Sequence, residues 1–216
     1  MSKKKKKILA KTVVVLCLCL LCMTVAAYVL SKPNIKTHNV ITTGDVSIQL
    51  TEIVEYDTDF DGKYDKTEVI PAGSGAQARM MPGTKVLKRV SIQNLAAESY
   101  IRVKFDVSFH DPANGNKELT HLSADPVKIA CSSATPGHWL DGGDGYYYYY
   151  KPLLKAAADE LLGEITLDAM DITNEYQGCA VHVNVIAEAV QAKNQNPNGD
   201  PAFDVTRDVA GWPVQD

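Results

Sequence analysis

Tyr100-Ile101-Arg102-Val103-Lys104-Phe105-Asp106-Val107-Ser108-Phe109 decides the fold class. Ile101, Val103, Phe105, Val107 and Phe109 alternate with Arg102, Lys104, Asp106 and Ser108. A period of two places one set on a buried face and the other on a wet face, the mark of a half-buried strand. Cys179–Ala192 repeats the pattern with Val181, Val183, Val185, Ala187 and Ala189 against His182, Asn184 and Glu188. Val46, Ile48 and Leu50 open another strand, as do Val90 and Ile92, and Val127, Ile129 and Cys131 form a shorter one. Tyr146–Tyr150 reads as a strand because aromatic side chains suit a pleated surface. Ile165–Ile172 is a weaker strand, and Leu153–Leu162 before Gly163 reads as a short helix.

Turn signals separate these segments at Pro71-Ala72-Gly73, Pro82-Gly83, Asp111–Gly115, Pro136-Gly137 and Asp141–Gly145. Many strands at this spacing predict an all-β, antiparallel β-sandwich with one short helical insertion. The sandwich is expected over residues 46–194. A polar tail, 195–216, is expected to be loose until Trp212.

The chain has 216 residues, of which 45% are apolar, enough for one sizeable core. Its charge is uneven. Six lysines lie in the first eleven residues, and the first acid is Asp45. Beyond those lysines, 16 basic side chains face 26 acidic ones. An acidic body argues against nucleic acid as a partner, because phosphate calls for a basic face.

Lys3–Lys7 precede Thr12–Leu30, a tract of uncharged residues rich in Val, Leu and Cys. A positive segment followed by an apolar one is the layout of an export signal, here an N-terminal signal helix. Thr24-Val25-Ala26 ends it on a small residue, so 1–26 is expected to be removed, leaving a secreted or surface-bound chain that starts at Ala27. The rival is a retained anchor, since about 20 apolar residues can span a bilayer. Three cysteines lie within the signal. Cys131 and Cys179 remain, and either they bridge or both act as small buried apolar groups.

The sharpest local motif is Asp57-Thr58-Asp59-Phe60-Asp61-Gly62-Lys63-Tyr64-Asp65-Lys66-Thr67-Glu68. It carries acids at positions 1, 3, 5, 9 and 12 and glycine at position 6, the pattern of a calcium loop. Calcium takes six to eight hard oxygens at flexible spacing. Asp57, Asp59 and Asp61 would give carboxylates, Lys63 its carbonyl, Asp65 a carboxylate or a bound water, and Glu68 a bidentate carboxylate. Pro71 follows too closely for a leaving helix, so the alternative is a polar hairpin loop facing water. An extracellular site of this kind belongs to the class with dissociation constants on the order of 10⁻⁴–10⁻³ M.

Other chemistry is thinly represented. The histidines are His38, His110, His121, His138 and His182, with no H-E-x-x-H among them. His182 falls on the polar phase of its strand and reads as a surface residue. No G-x-S-x-G is present. Gly142–Gly145 has no following Lys-Ser/Thr, and its aspartate would repel phosphate, so it reads as a turn. Tyr146, Tyr148 and Tyr150 are expected to pack inward, with Tyr147 and Tyr149 covering the outer face. The rival role for these tyrosines is a carbohydrate or partner surface.

Several segments together resemble the TasA/camelysin family of exported proteins. They are Ala27-Tyr28, the run Asn39–Glu52 with its Gly44-Asp45-Val46-Ser47-Ile48-Gln49-Leu50, Met81-Pro82-Gly83, Val90–Asn94, Tyr100–Lys104, Trp139–Tyr150, Asn174–Gly178 and Ala187–Ala192. The order of the segments is more specific than any single one. The resemblance implies a jelly-roll-like sandwich and removal of the signal by a dedicated signal peptidase. It further implies surface or matrix fibres in which the N-terminal segment of one subunit adds a strand to the next. Residues 27–45 would then supply the donor strand for a homo-polymer. A camelysin branch is classed as metallopeptidase, so a surface metallopeptidase is the second expectation and a calcium-dependent adhesin the third. No catalytic residue stands out for either.

Overall fold

The alternating segments form strands that close into two sheets. The structure, a computed structural model, describes residues 40–41, 46–57, 59, 61–70, 76–78 and 85–213. The expected signal segment, the retained-anchor alternative and most of 27–45 lie outside the described residues. In chain order the strands are β1 (Val40–Ile41), β2 (Ile48–Tyr56), β3 (Lys66–Ile70), β4 (Ala76–Ala78), β5 (Lys85–Asn94) and β6 (Ser99–Asp111). They continue with β7 (Lys117–Glu118), β8 (Val127–Ser133), β9 (Trp139–Asp141), β10 (Tyr147–Tyr149), β11 (Ala158–Leu167) and β12 (Ala180–Gln191).

The first sheet runs β1-β12-β6-β10-β9, with β4 also on β12 and β7 on β6. The second runs β3-β2-β5-β11-β8. All pairings are antiparallel except β1 with β12, which is parallel. The all-β sandwich expected from the period of two is therefore the observed architecture. The longest ladder joins β6 to β12 from Ser99↔Gln191 to His110↔Ala180.

Ile48, Leu50, Val90, Ile92 and Leu161 of the second sheet meet Ile101, Val103, Val185, Ala187 and Ala189 of the first. A second cluster continues the interior with Val54, Val86, Phe109, Ile165, Val181 and Val183. Burying each such aliphatic side chain contributes about 1.5–3 kcal/mol.

Three expectations are corrected, and the open alternative for the two cysteines is decided. Leu153–Leu162 is not helical. Leu153 exchanges backbone hydrogen bonds with Ser99, a turn follows at Leu154–Ala157, and Ala158 starts β11. The run Ala156-Ala157-Ala158-Asp159-Glu160-Leu161-Leu162 favours a helix locally, but pairing to β5 and β8 on both sides overrides that weak preference. Among the described residues only two single 3-10 turns occur, Pro112–Asn114 and Asn174–Tyr176. Gly163 is not a helix stop but a seat for Phe105, whose ring a Cβ there would approach to 2.9 Å.

The tail is not loose. Val205 and Val209 are buried, Phe203 meets Tyr100, and Trp212 meets Tyr148 edge-on. Gln195 clamps it by donating to the Ala210 carbonyl and accepting from the Ala210 N–H.

Tyr146–Tyr149 have the opposite phase, whereas Tyr150 packs against the interior cluster as expected. Tyr147 pairs with inward Val103 and Tyr148 with outward Arg102. Tyr147 and Tyr149 therefore pack between the sheets, while Tyr146 and Tyr148 are buried under the tail.

Cys131 and Cys179 do not bridge; both are free. Cys131 belongs to β8 of the second sheet, and Cys179 precedes β12 of the first. Each packs against a different apolar cluster.

Candidate metal-binding loop

β2 and β3 form a hairpin whose last pair is Tyr56↔Lys66. The Asp65 N–H donates to the Tyr56 carbonyl at 2.9 Å and closes the base of the loop. Within it, short acids accept backbone N–H groups, the local bonding that lets aspartate shape turns. The Gly62 N–H donates to Asp57 Oδ2 at 2.9 Å, the Asp61 N–H to Asp59 Oδ1 at 3.3 Å, and the Lys63 N–H to Asp61 Oδ1 at 2.8 Å. Gly62 has φ +85, a left-handed conformation that disfavours a side chain.

One carboxylate oxygen from each of Asp57, Asp59 and Asp61 lies within 4.8 Å of the other two. Asp57 Oδ1 is sealed from solvent and accepts no hydrogen bond. Such an atom normally finds a partner, since leaving it bare costs about 1–3 kcal/mol or more for a charged group. Lys63 Nζ reaches Asp61 Oδ2 at 3.2 Å, but both side chains are largely in water, and such pairs contribute little.

Of the six expected ligands, Asp57, Asp59 and Asp61 converge. Lys63 and Asp65 continue the same loop. Glu68 stands apart in β3, opposite Val54, with its carboxylate 3.9 Å from Lys66. Tyr64 fastens the second half of the loop to the sheet. Its hydroxyl donates to Glu164 Oε2 at 3.0 Å, and Lys85 holds the other oxygen of Glu164 at 3.0 Å. Burial, then Glu164, pushes the Tyr64 hydroxyl up to about 12.

Sequence reasoning missed four polar clusters. Glu52 and Lys88 pair at 2.7 Å between the sheets, and Lys88 also donates to the Val183 carbonyl. Both fall on the apolar phase of their strands, the one sequence signal that marks them.

Arg102 pairs with Glu188 at 2.6 Å on the outer face of the first sheet. Its guanidinium lies 3.9 Å from the Tyr146 ring centroid and 4.6 Å from that of Trp212.

His182 is buried, contrary to the surface reading, because its ring stacks on His110 at 3.8 Å. Burial, then His110 and Lys88, lower its pKa from the ordinary 6.5.

His138 pairs with Asp159 at 2.6 Å, and the Trp139 indole donates to the other Asp159 oxygen at 3.0 Å. Among the described residues, Asp57, Asp59 and Asp61 are the one place where three possible metal ligands converge. Burial pushes the Cys131 thiol up to about 11, which leaves it a poor nucleophile.

Comparison of the chain with family models, with curated proteins and with solved structures finds no match.

Proposed function

We propose that the chain is an exported structural subunit that assembles into extracellular fibres or a surface layer by strand addition. The observation that carries this reading is the edge at β8. Seven residues, Val127–Ser133, pair with β11 on one side and end the second sheet on the other. An edge strand offers N–H and C=O groups that another chain can satisfy. The donor is the N-terminal segment 27–38 of another copy, released when a signal peptidase cuts after Ala26. Its apolar residues Tyr28, Val29, Leu30 and Ile35 would fix the register.

The test compares the chain begun at Ala27 with one begun at Thr42, both confirmed folded by circular dichroism. Electron microscopy should find fibres only from the longer form. Equal polymerisation by both, or by neither, removes the basis for head-to-tail addition.

Calcium is the proposed ligand of the 57–65 loop, supported by the converging carboxylates and the unpartnered Asp57 Oδ1. The same observation favours a second reading, a calcium-dependent adhesin. Calcium-dependent attachment without polymer would select it. Chelator-sensitive cleavage of casein would instead select the surface metallopeptidase.

A further inference from the structure

We infer that the cavity between β8 and β9 is the seat for the Tyr28 ring of another copy, which makes Tyr28 the anchor of the added strand. The inference rests on the strand-addition reading above and goes further by naming the seat and the residue that fills it.

Among the described residues, β8 ends the second sheet and β9 ends the first. Between these two edges lies a cavity of about 170 Å³. Cys131 and Leu161 line it from the second sheet, and Trp139, Asp141 and Tyr147 from the first. Cys131, Leu161, Trp139 and Tyr147 all belong to the apolar interior, so the cavity leads from the edges toward the core. It is pinched at one end, where the Trp139 N–H donates to Ser133 Oγ at 2.8 Å. A dry cavity of about 150 Å³ takes up one benzene ring, so this one has room for a single aromatic side chain. Asp141 adds a carboxylate to the wall. Its Oδ1 accepts the Gly143 N–H at 2.9 Å, and a carboxylate has further lone pairs for a phenol hydroxyl.

The segment 27–38 carries one tyrosine and neither phenylalanine nor tryptophan. Ala27–Lys32 is a run of six residues before Pro33, which has no N–H for a ladder, and β8 has seven. Residues directly opposite on paired strands share a face. With Tyr28 opposite Cys131, an antiparallel strand sets Leu30 opposite Ile129, the next residue of β8 on its inner face. Val29 and Ser31 then fall opposite the exposed Ala130 and Lys128. Charge agrees with this pairing. The segment carries Lys32 and Lys36 and no acid, and the body it would join is acidic.

The test uses the chain begun at Ala27. Tyr28→Ala should raise the concentration needed for fibres by about tenfold or more, whereas Tyr28→Phe should stay within about threefold of the parent. A second arm combines Tyr28→Cys with Cys179→Ala and oxidises the protein during assembly. Non-reducing electrophoresis should show a ladder of disulfide-linked chains, and adding Cys131→Ser should leave dimers at most. Circular dichroism confirms that each variant is folded. Fibres from Tyr28→Ala at the parent's concentration, or no ladder from the cysteine variant, overturn the seat and leave strand addition standing. A cross-link confined to single chains means that the segment fills its own cavity, and it overturns the seat as well. A parent that forms no fibres overturns both readings.

Discussion

Two buried ion pairs, one on each side of the first sheet, are built differently. Lys88 and Glu52 lie between the sheets, 0% and 3% exposed, with the Val183 carbonyl as the further acceptor for the ammonium. Arg102 and Glu188 lie under the C-terminal tail, 10% and 1% exposed, within a ring of aromatic groups. The Tyr146 hydroxyl donates to Glu188 at 3.2 Å, and the Tyr148 hydroxyl donates to Asp144 at 2.7 Å while accepting from Arg102 at 3.4 Å. Among the described residues, the inner Glu52 has Lys88 as its partner, and Lys88 has the Val183 carbonyl besides. The outer pair is one link in a network, so losing one member leaves the other with hydrogen bonds. The difference predicts unequal consequences for similar substitutions.

The largest effect is expected from Lys88→Met. It leaves Glu52 buried without its cation and should lower unfolding stability by about 3–5 kcal/mol. Joining it to Glu52→Leu removes the stranded charge, and the double variant should recover most of the loss. Urea unfolding of the two variants measures this. A double variant no better than the single one would mean that the pair is not the source of the cost.

Arg102→Met should cost less, about 1.5–3 kcal/mol, because Glu188 keeps the Tyr146 hydroxyl. Trp212→Ala removes one face of the guanidinium stack and should cost about 1–2 kcal/mol. A Trp212→Ala loss near zero would show that the tail does not contribute to holding this face closed.

These two regions also explain what the sequence reveals. The period of two at Ile101–Phe109 and Val181–Ala189 gives the sandwich and the residues that face its interior, because alternation is set by the strand itself. It does not tell which outward face is covered a second time. Arg102, Glu188 and His182 sit on the polar phase and are nevertheless buried. Tail residues separated from that face in sequence cover Arg102, and a neighbouring strand supplies the ring against His182. Leu153–Leu162 misleads for a related reason: its local preference is helical, and the partners that make Ala158–Leu167 a strand lie in β5 and β8. The acidic loop at Asp57–Asp65 is more legible because its acids bond within one short stretch. Even there the twelfth position follows a pattern that assumes a leaving helix, whereas β3 carries Glu68 away.

Acid should weaken the fold through the stacked pair near the inner ion pair. His182 has its folded-state pKa below 6.5, so the folded protein takes up that proton less readily than the unfolded chain. Stability is then full above pH 6.5 and is lost as pH falls from there through the folded value. The slope from this one group is at most about 1.4 kcal/mol per pH unit. The groups around the ring add to the sense of the effect: His110 stacks on it, and Lys88 stands close enough to repel its charged form. His182→Phe should flatten the dependence between pH 6.5 and 5 in urea unfolding. An unchanged slope would place the acid sensitivity elsewhere.

The smallest effects concern the cysteines, and they separate the two apolar clusters of the interior. Begun at Ala27, the chain carries only Cys131 and Cys179. Both are free, so the denatured, unreduced protein should yield two titratable thiols, and reductant should leave its unfolding midpoint unchanged. Replacing the two should not be equivalent. Cys131 packs against the interior cluster that includes Trp139 and Tyr149, and burial pushes its thiol up. Cys131→Ala should therefore cost about 1 kcal/mol. Cys179 lies at the foot of β12, its Sγ 3.7 Å from the Glu175 carbonyl in a contact open to solvent. Cys179→Ala should stay within about 0.5 kcal/mol of the parent. A titration that finds no thiol would mean that the chain oxidises to a bridged form. In that form the two substitutions would cost the same, because each would break the one bond.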